Sequence, residues 1–337
     1  MVQGNSFKNL TDLHLHLGSS SSPHFLWELA HQQGIRLPTK EYYEFYKMMT
    51  IERSHVSWED FHELFKWTEL IQSSPLAIER SVYETISGAY RVNNITLLEL
   101  SFNPMSRNRG GEQDLDQIIL AALRGMERAL VEFPKVRAGL IFFLDRRFSY
   151  EQNEIIVKKA IKYNRRGVIG IDIAGPHKEG FFYKDYANLY KEARESGLKT
   201  TVHTGEDGTV EEMAHVISVL PLDRVNHGIR CYESVDLMKE IVQKDLTLCI
   251  CPTSNLKIGF VKDIQEYGLI IKKLLEHNVK FCINTDGPAM FNTNIAKELQ
   301  LMIDHSILTE SELNQTMQWA REASFINLPA KNENLYL

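Results

Sequence analysis

The sequence predicts an α/β fold in which residues 1–337 form one domain, a (β/α)8 TIM barrel with a helical insertion after its first strand and a C-terminal helix. Short apolar, β-branched runs alternate with segments of helical periodicity, a pattern typical of parallel strands joined by right-handed helical crossovers. Eight such units follow one another, and a closed barrel takes about 250 residues. An open, doubly wound sheet is the alternative, but no predicted strand precedes a Gly-x-Gly-x-x-Gly motif.

The first strand covers residues 11–17, in which polar and apolar side chains alternate. Because alternate side chains of a strand share a face, His14 and His16 point the same way. The other strands are predicted at 95–102, 137–144, 168–174, 200–203, 224–228, 246–251 and 280–285. Helices are predicted between them at about 76–92, 114–133, 151–164, 183–196, 209–219, 233–244 and 266–277. A last helix begins after Thr309, which forms a capping box with Glu312.

A helical insertion of about residues 24–75 separates the first strand from the second. A serine-rich loop leads into it, followed by a helix over residues 25–33. Farther along, the spacing of Trp58, Phe61 and Phe65 predicts a helix with one apolar face. That face either packs into the core or forms a hydrophobic lid over a ligand.

Composition and charge exclude several classes of function. The net charge is −6 and Lys and Arg form no run, so binding to nucleic acid is not expected. We find no apolar stretch long enough to span a bilayer and no signal peptide, so we expect a cytoplasmic protein that does not bind membranes. The four cysteines lack zinc-finger spacing, which indicates buried thiols in a reducing compartment.

Polar residues follow five of the eight predicted strands at the same end. In a (β/α)8 barrel, the loops at the carboxyl ends of the strands converge and form the active site. Residues of the types that bind metals or move protons would rarely occur at five such ends by chance. The residues at these ends are His14, His16, Asp172, His203, Glu206, His227 and Asp286.

These residue types are suited to metal-assisted hydrolysis. Three imidazoles, from His14, His16 and His203, together with the carboxylate of Asp286 would hold one zinc ion and leave a position for water. The metal lowers the pKa of that water towards about 7. Glu206 lies three residues beyond a ligand, where proton transfer is the expected role. We expect His227 to hydrogen-bond the resulting hydroxide, and Asp286 to accept a proton while bound.

The order of these segments resembles that of the adenosine deaminase family of zinc-dependent aminohydrolases, over nearly the whole chain. The segments are TDLHLHL, IDIAG, TVHTGE, RVNHG, CPTSN and INTD. The resemblance implies the same four zinc ligands. It also implies that Glu206 protonates the purine ring nitrogen next to the carbon under attack and that His227 orients the hydroxide. Gly175 matches a glycine whose backbone contacts another ring nitrogen.

The departures from the family lie at positions that would contact the substrate. After the histidine pair the family usually has Asp-Gly, whose acid contacts the ribose 5′ hydroxyl, and here Gly18 and Ser19 follow instead. After the metal aspartate the family usually has a second aspartate that contacts the base, and here it is Gly287. Pro176 and His177 stand where an acidic pair is common. Losing two carboxylates removes hydrogen-bond acceptors that would read the base and the sugar.

We therefore expect hydrolytic deamination of a 6-aminopurine nucleoside, adenosine or 2′-deoxyadenosine, with release of ammonia. The alternatives are another aminopurine (adenine, an N6-substituted AMP or a 5′-modified adenosine), the opening of a cyclic amide, and a non-catalytic purine-binding relative. Arg107 and Arg109 could pair with an anionic 5′ group, although solvated loop arginines are the simpler interpretation. The chain is expected to be a monomer or a homodimer. Substrate contacts are expected from His16, Gly18, Phe61, Phe65, Gly175 and Gly287.

Overall fold

The computed structural model describes residues 7–52 and 56–327. The ends of the predicted domain and residues 53–55 of the predicted insertion lie outside the described residues. Parallel strands alternate with helices and form a barrel, as the sequence predicts. The strands are β1 (Leu10–His16), β2 (Ile95–Phe102), β3 (Arg137–Asp145), β4 (Val168–Ala174), β5 (Lys199–Thr200), β6 (His203–Thr204), β7 (Arg224–His227), β8 (Thr247–Ile250) and β9 (Lys280–Ile283).

Hydrogen bonding joins the strands in the order β1 to β5 and β6 to β9. The predicted fifth barrel strand is interrupted, so that it contributes the two short segments β5 and β6. The interruption is bridged, because Thr201 N donates to Ile171 O of β4 at 3.0 Å. The barrel closes between β1 and the end of the last strand, where His16 N donates to Asp286 O and Asp286 N donates to His14 O, both at 2.9 Å.

Helices surround the barrel, and further helices form the insertion between β1 and β2. None of the helices within the described ranges is long and apolar enough to cross a membrane. The α-helices are α1 (Leu17–Ser20), α2 (Pro23–Gln32), α3 (Tyr42–Met49), α4 (Trp58–Ile71), α5 (Pro75–Asn93), α6 (Asp116–Glu132), α7 (Tyr150–Tyr163), α8 (Ala187–Glu195), α9 (Val210–Val219), α10 (Val235–Gln243), α11 (Pro252–Ile258), α12 (Ile264–Glu276), α13 (Ile295–Asp304) and α14 (Glu310–Glu322). The capping box of Thr309 and Glu312 is present at the start of α14.

The serine-rich segment after β1 differs from its prediction as a loop. It begins with the single turn α1, because the hydroxyl of Ser20 donates to His16 O at 2.7 Å and supports the turn. Two further helices, α11 and α13, lie where the sequence analysis assigns none. α11 begins directly after β8, whereas a longer connection separates α13 from β9. α11 is too short for its periodicity to be recognised in the sequence.

The amino-terminal end of the barrel is closed by a buried ion pair. The guanidinium of Arg224 on β7 donates to Glu99 Oε2 on β2 at 2.7 Å, and both side chains are fully buried. Phe325, beyond α14, lies under that guanidinium at 3.9 Å and donates its backbone N–H to the other Glu99 oxygen. This end of the barrel therefore serves stability, and the opposite end is left for chemistry.

Candidate active site

Three imidazole nitrogens meet at the carboxyl end of the barrel. The alternation of β1 directs His14 and His16 to one face, and β6 brings His203 opposite them. Their Nε2 atoms are 3.2 Å apart for His14 and His16, 3.0 Å for His14 and His203, and 2.9 Å for His16 and His203. Two nitrogens bound to one zinc ion at the tetrahedral angle are about 3.3 Å apart. The triangle is therefore of the size that one metal ion requires.

Asp286 adds a carboxylate to this triangle. It follows β9 in the left-handed conformation, with a φ of 61°, and its two backbone bonds to β1 fix it beside the histidines. Asp286 Oδ1 lies 3.5 Å from His16 Nε2 and 3.9 Å from His14 Nε2. Its other oxygen accepts the hydroxyl of Ser254 on α11 at 2.6 Å. One carboxylate oxygen is thus held in place and the other faces the imidazoles.

Two neighbouring residues orient the imidazole rings. Asp172 Oδ2 lies 2.8 Å from His203 Nδ1, and Cys251 Sγ lies 3.7 Å from His14 Nδ1. Partners of this kind at Nδ1 leave Nε2 directed at a metal. The sequence analysis found Asp172 only as a strand-end residue and assigned Cys251 to the buried thiols. Cys251 is buried as predicted, but its contact with His14 could not be read from its position in the chain.

The protonation of these groups suits a metal. Burial lowers the pKa of His16 to about 4 and holds those of His14 and His203 well below their usual range. All three are therefore neutral near pH 7, which is the form that binds metal ions. Burial raises the pKa of Asp286 to about 7, and the hydroxyl of Ser254 opposes that rise. Three imidazoles and one carboxylate form a donor set typical of zinc and related transition metals.

Glu206 and His227 form a second pair beside the triangle. Their Oε2 and Nε2 atoms are 3.0 Å apart, and both side chains are almost wholly buried. Burial, together with the neighbouring Asp207 and Asp286 carboxylates, raises the pKa of Glu206 well above its usual range, whereas burial lowers that of His227. These shifts favour the protonated form of Glu206 and the neutral form of His227.

His227 lies close enough to be a ligand as well. Its ring nitrogens come within 4.8 Å of those of His14 and His203, so these three form a second possible metal group among the described residues. Its Nε2 is engaged with Glu206, however, and Asn255 Nδ2 lies 3.4 Å from its Nδ1. These contacts fit the predicted role beside the metal better than a place among its ligands.

A cavity of about 340 Å³ opens above these groups, a volume within the range of small-molecule sites. Phe61 and Phe65 of α4 form part of its wall, and Phe61 also packs against Ile51 and Phe291 in a hydrophobic cluster, so the apolar face of α4 contributes both to the core and to the cavity. The predicted site residues that line it are His16, Gly18, Phe61, Phe65, Gly175, His203, Glu206, His227 and Asp286. Gly287 does not line it.

Ser19 explains why residue 287 is a glycine. A Cβ added to Gly287 would lie 2.4 Å from both the Cβ and the Oγ of Ser19, so the serine side chain occupies the space that a larger residue would need. The two departures from the family therefore meet in space, with a serine where the family has glycine and a glycine where it has aspartate. No gap for a modified purine is left at Gly287.

The loop residues singled out from the sequence have different environments. His177 is 40% exposed and lies 3.1 Å from Asp207, outside the wall of the cavity. Arg109 lines the cavity but pairs with Glu69 at 3.1 Å with 43% of its side chain exposed. Arg107 is 3% exposed and lines the cavity, so it is not the solvated loop arginine that the simpler interpretation assumed.

The chain is similar to known proteins in sequence and in fold. The sequence model of a protein family described as adenosine deaminase matches residues 9–335. An adenosine deaminase of Clostridium kluyveri is 28% identical over 315 residues, which is 94% of this chain and 89% of that protein. The crystal structure of an adenine deaminase from Arthrobacter aurescens is similar with a TM-score of 0.84 at 21% identity, covering 95% of both chains. That of an amidohydrolase from Burkholderia ambifaria, with bound zinc, has a TM-score of 0.82 at 21% identity and covers 95% of this chain and 86% of the other.

Proposed function

Because the chain belongs to the adenosine deaminase family and is a hydrolytic deaminase, we propose that it removes the 6-amino group of a purine that carries a ribose. Adenosine and 2′-deoxyadenosine are the nucleosides first expected. The observation that supports this most strongly is the meeting of three imidazole Nε2 atoms and the Asp286 carboxylate beside the pair of Glu206 and His227.

The metal is proposed to be one zinc ion per chain, held by His14, His16, His203 and Asp286. Three neutral imidazoles at mutual distances of 2.9–3.2 Å and a buried carboxylate fit such an ion after shifts of a few tenths of an ångström. When bound there, the ion would supply a water acidic enough to ionise near neutral pH.

Glu206 is the proposed proton donor to the purine ring. Because its pKa is raised, it keeps its proton at neutral pH and can transfer it to the ring nitrogen beside the carbon under attack. Protonating that nitrogen withdraws electrons from the carbon that bears the amine, which makes the carbon more electrophilic. The proton that Asp286 accepts from the attacking water would go to the departing amine, which leaves as ammonia. The hydroxyl added to the carbon would give its proton to the Glu206 carboxylate as the carbonyl forms.

His227 and Asp286 are proposed to act on the other side of the reacting carbon. His227 is buried and neutral, and its left-handed backbone, with a φ of 59°, turns the ring towards Glu206 and the histidine triangle. Once Glu206 directs its proton to the purine, His227 Nε2 is released to hydrogen-bond the attacking oxygen and to stabilise the charge that develops on it. The second oxygen of Asp286 is engaged by Ser254, so the first remains to accept a proton.

Two features of the cavity are proposed to orient the purine. Gly175 has a φ of 91°, which turns its backbone towards the cavity, and a side chain there would meet Asp145 at 3.0 Å. A backbone N–H at this position can approach a ring nitrogen closely. Phe61 and Phe65 offer apolar faces that exclude water from the base.

Two other functions remain as alternatives. The free base adenine is one, since the Arthrobacter structure is of an adenine deaminase. A non-catalytic purine-binding relative is the other, but such a protein has no need of the acid and of every metal ligand, and all of these are retained here.

The test is the release of ammonia from adenosine, 2′-deoxyadenosine, adenine, AMP and N6-methyl-AMP (methylamine from the last) by zinc-loaded protein. Wild type is expected to deaminate at least one ribose-bearing member. Glu206→Gln is expected to bind zinc equally and to lose at least about 1,000-fold in turnover. Turnover of adenine alone would favour the free-base alternative, and an active Glu206→Gln variant would remove Glu206 from the mechanism.

A further inference from the structure

Arg107 is a buried cation in the wall of the cavity. It lies in the loop after β2, is 3% exposed, and lines the same cavity as Glu206 and the metal ligands. Its Nε and Nη1 atoms have no hydrogen-bond partner among the described residues. Leaving a buried charged group unpaired is costly, so such a group calls for a partner that the protein itself does not supply.

The guanidinium lies where the family usually has an acid. A Cβ added to Gly18 would lie 3.1 Å from Arg107 Nη2, 2.9 Å from Thr68 Oγ1 and 3.1 Å from the ring of Phe65. The resemblance to the family implies that the acid usual at this position contacts the ribose 5′ hydroxyl. In this chain a hydrogen-bond acceptor is therefore replaced by a cationic donor at the same corner of the cavity.

The local charges leave a surplus of one positive charge. Arg109 and Arg107 both lie near Glu69, which accepts from Arg109 at 3.1 Å, so two cations share one carboxylate. The other arginine of the wall, Arg147, is neutralised by Asp145 through a pair of 2.5 Å. Burial lowers the pKa of Arg107 to about 10, so it still carries its charge at neutral pH.

A buried hydroxyl of the same wall adds to the unused donors. Ser101 Oγ, at the end of β2, has no hydrogen-bond partner within the described part of the chain. A ligand group with several acceptor oxygens offers more acceptors to such donors than a neutral 5′ hydroxyl does.

From this geometry we infer that the cavity contains an anion subsite, built by Arg107 beside Gly18, that binds the 5′-phosphate of a purine nucleotide. The inference rests on the proposed function, because it fixes which end of the substrate reaches Gly18. It makes a 6-aminopurine nucleoside 5′-monophosphate, with or without a substituent on its amino group, the preferred substrate. Guanidinium and phosphate match in geometry and can form two parallel hydrogen bonds.

The first experiment compares kcat/KM for AMP and for adenosine in zinc-loaded wild type, Arg107→Gln and Arg124→Gln. Wild type is expected to prefer AMP by about 100-fold, the effect of charge-assisted hydrogen bonds to one buried group. Arg107→Gln is expected to lose most of that preference. Arg124→Gln is the matched control: it removes an exposed arginine that pairs with Glu79 at 3.0 Å outside the wall of the cavity, and should change the preference by no more than about threefold.

The second experiment measures binding without turnover. Melting temperatures of zinc-loaded protein are recorded with inosine 5′-monophosphate and with inosine at equal concentration. Wild type should be stabilised more by the nucleotide, and Arg107→Gln should be stabilised equally by both. In phosphate-free buffer without ligand, Arg107→Gln should melt no lower than wild type, since an unpaired buried charge is removed. If the glutamine variant does not fold, Arg107→Lys replaces it in the test. Lysine keeps the charge but cannot form two parallel hydrogen bonds, so this variant should retain part of the preference for the nucleotide.

The outcomes separate this inference from the proposed function. Equal use of adenosine and AMP by wild type, an equal loss of both in Arg107→Gln, or a much lower melting temperature of that variant would overturn the anion subsite. If no 6-aminopurine is deaminated by zinc-loaded protein, the proposed function fails. The difference between inosine 5′-monophosphate and inosine in melting temperature then still decides whether the subsite exists.

Discussion

Replacing Gly287 by alanine tests whether Ser19 and Gly287 share one space. The added Cβ would lie 2.4 Å from Ser19 Cβ and Oγ, whereas non-bonded carbon atoms settle at about 3.5–4.0 Å. The two segments must therefore separate by about 1 Å. They resist this, because Ser19 O accepts the N–H groups of Ala289 and Met290 at 3.1 and 3.0 Å.

The expected cost is about 1–3 kcal/mol, which is typical of overpacking a well-filled site. Backbone strain adds nothing, since Gly287 is not in the left-handed region. Ser19→Gly removes the contact and should lower stability by no more than about 1 kcal/mol. In the double variant the new methyl group occupies the space left by the serine. We therefore expect a coupling free energy of about 1–3 kcal/mol that favours the pair.

The assay is calorimetric melting of wild type, both single variants and the double variant at equal zinc content. A shift of about 2 °C per kcal/mol is expected for a chain of this size. Gly287→Ala should have the lowest melting temperature of the four proteins. It should also bind zinc more weakly, because residue 287 directly follows the ligand Asp286. The double variant should recover both the melting temperature and the zinc affinity. Additive effects of the two substitutions would refute the shared space. For the same reason, Gly287→Asp should improve adenosine turnover only when Ser19→Gly accompanies it.

Three further predictions concern the metal and the lid. Burial raises the pKa of Asp286 to about 7, and Asp286 must lose its proton to bind zinc, so zinc affinity should fall about tenfold per pH unit below pH 7 and level off above it. Ser254→Ala lacks the hydrogen bond that lowers this pKa, so the pH at which the affinity levels off should be higher in that variant. A zinc affinity that does not change between pH 5.5 and 7 would contradict the role of Asp286 as a ligand. Asp172→Asn should weaken zinc binding by about 10- to 100-fold in a chelator competition, since it removes the carboxylate that holds His203 Nδ1; unchanged affinity would exclude that role. Phe65→Ala should raise the KM of the substrate about tenfold through lost apolar contact while zinc content stays the same, and a KM equal to that of wild type would place Phe65 outside the substrate site.

Much of the fold was predictable because its signals are local. The alternation around His14 and His16, the apolar runs of the later strands and the capping box at Thr309 each lie within a few residues. The break between Thr200 and His203 was not predictable, since the apolar pattern continues across it while the hydrogen bonding does not. The helix α11 was missed because seven residues hold too few turns for a period to emerge.

In the site, residue types were predictable and their contacts were not. The position of metal-binding residues at strand ends follows from barrel geometry once the strands are known. The proximity of Ser19 and Gly287, which are 268 residues apart, depends on how the barrel closes. The burial of Arg107 likewise depends on the insertion that covers its loop. A charged residue in a loop is more often solvated, so the sequence favoured a solvated Arg107, and that interpretation was wrong.

The most direct test of the account is to titrate zinc into metal-free protein and to follow the release of ammonia from AMP and from adenosine. Activity is expected to rise in proportion to zinc and to stop rising at one ion per chain, and Glu206→Gln is expected to take up the same single ion and to remain inactive. Full activity without metal, or one bound ion with no deamination of either purine, would contradict it.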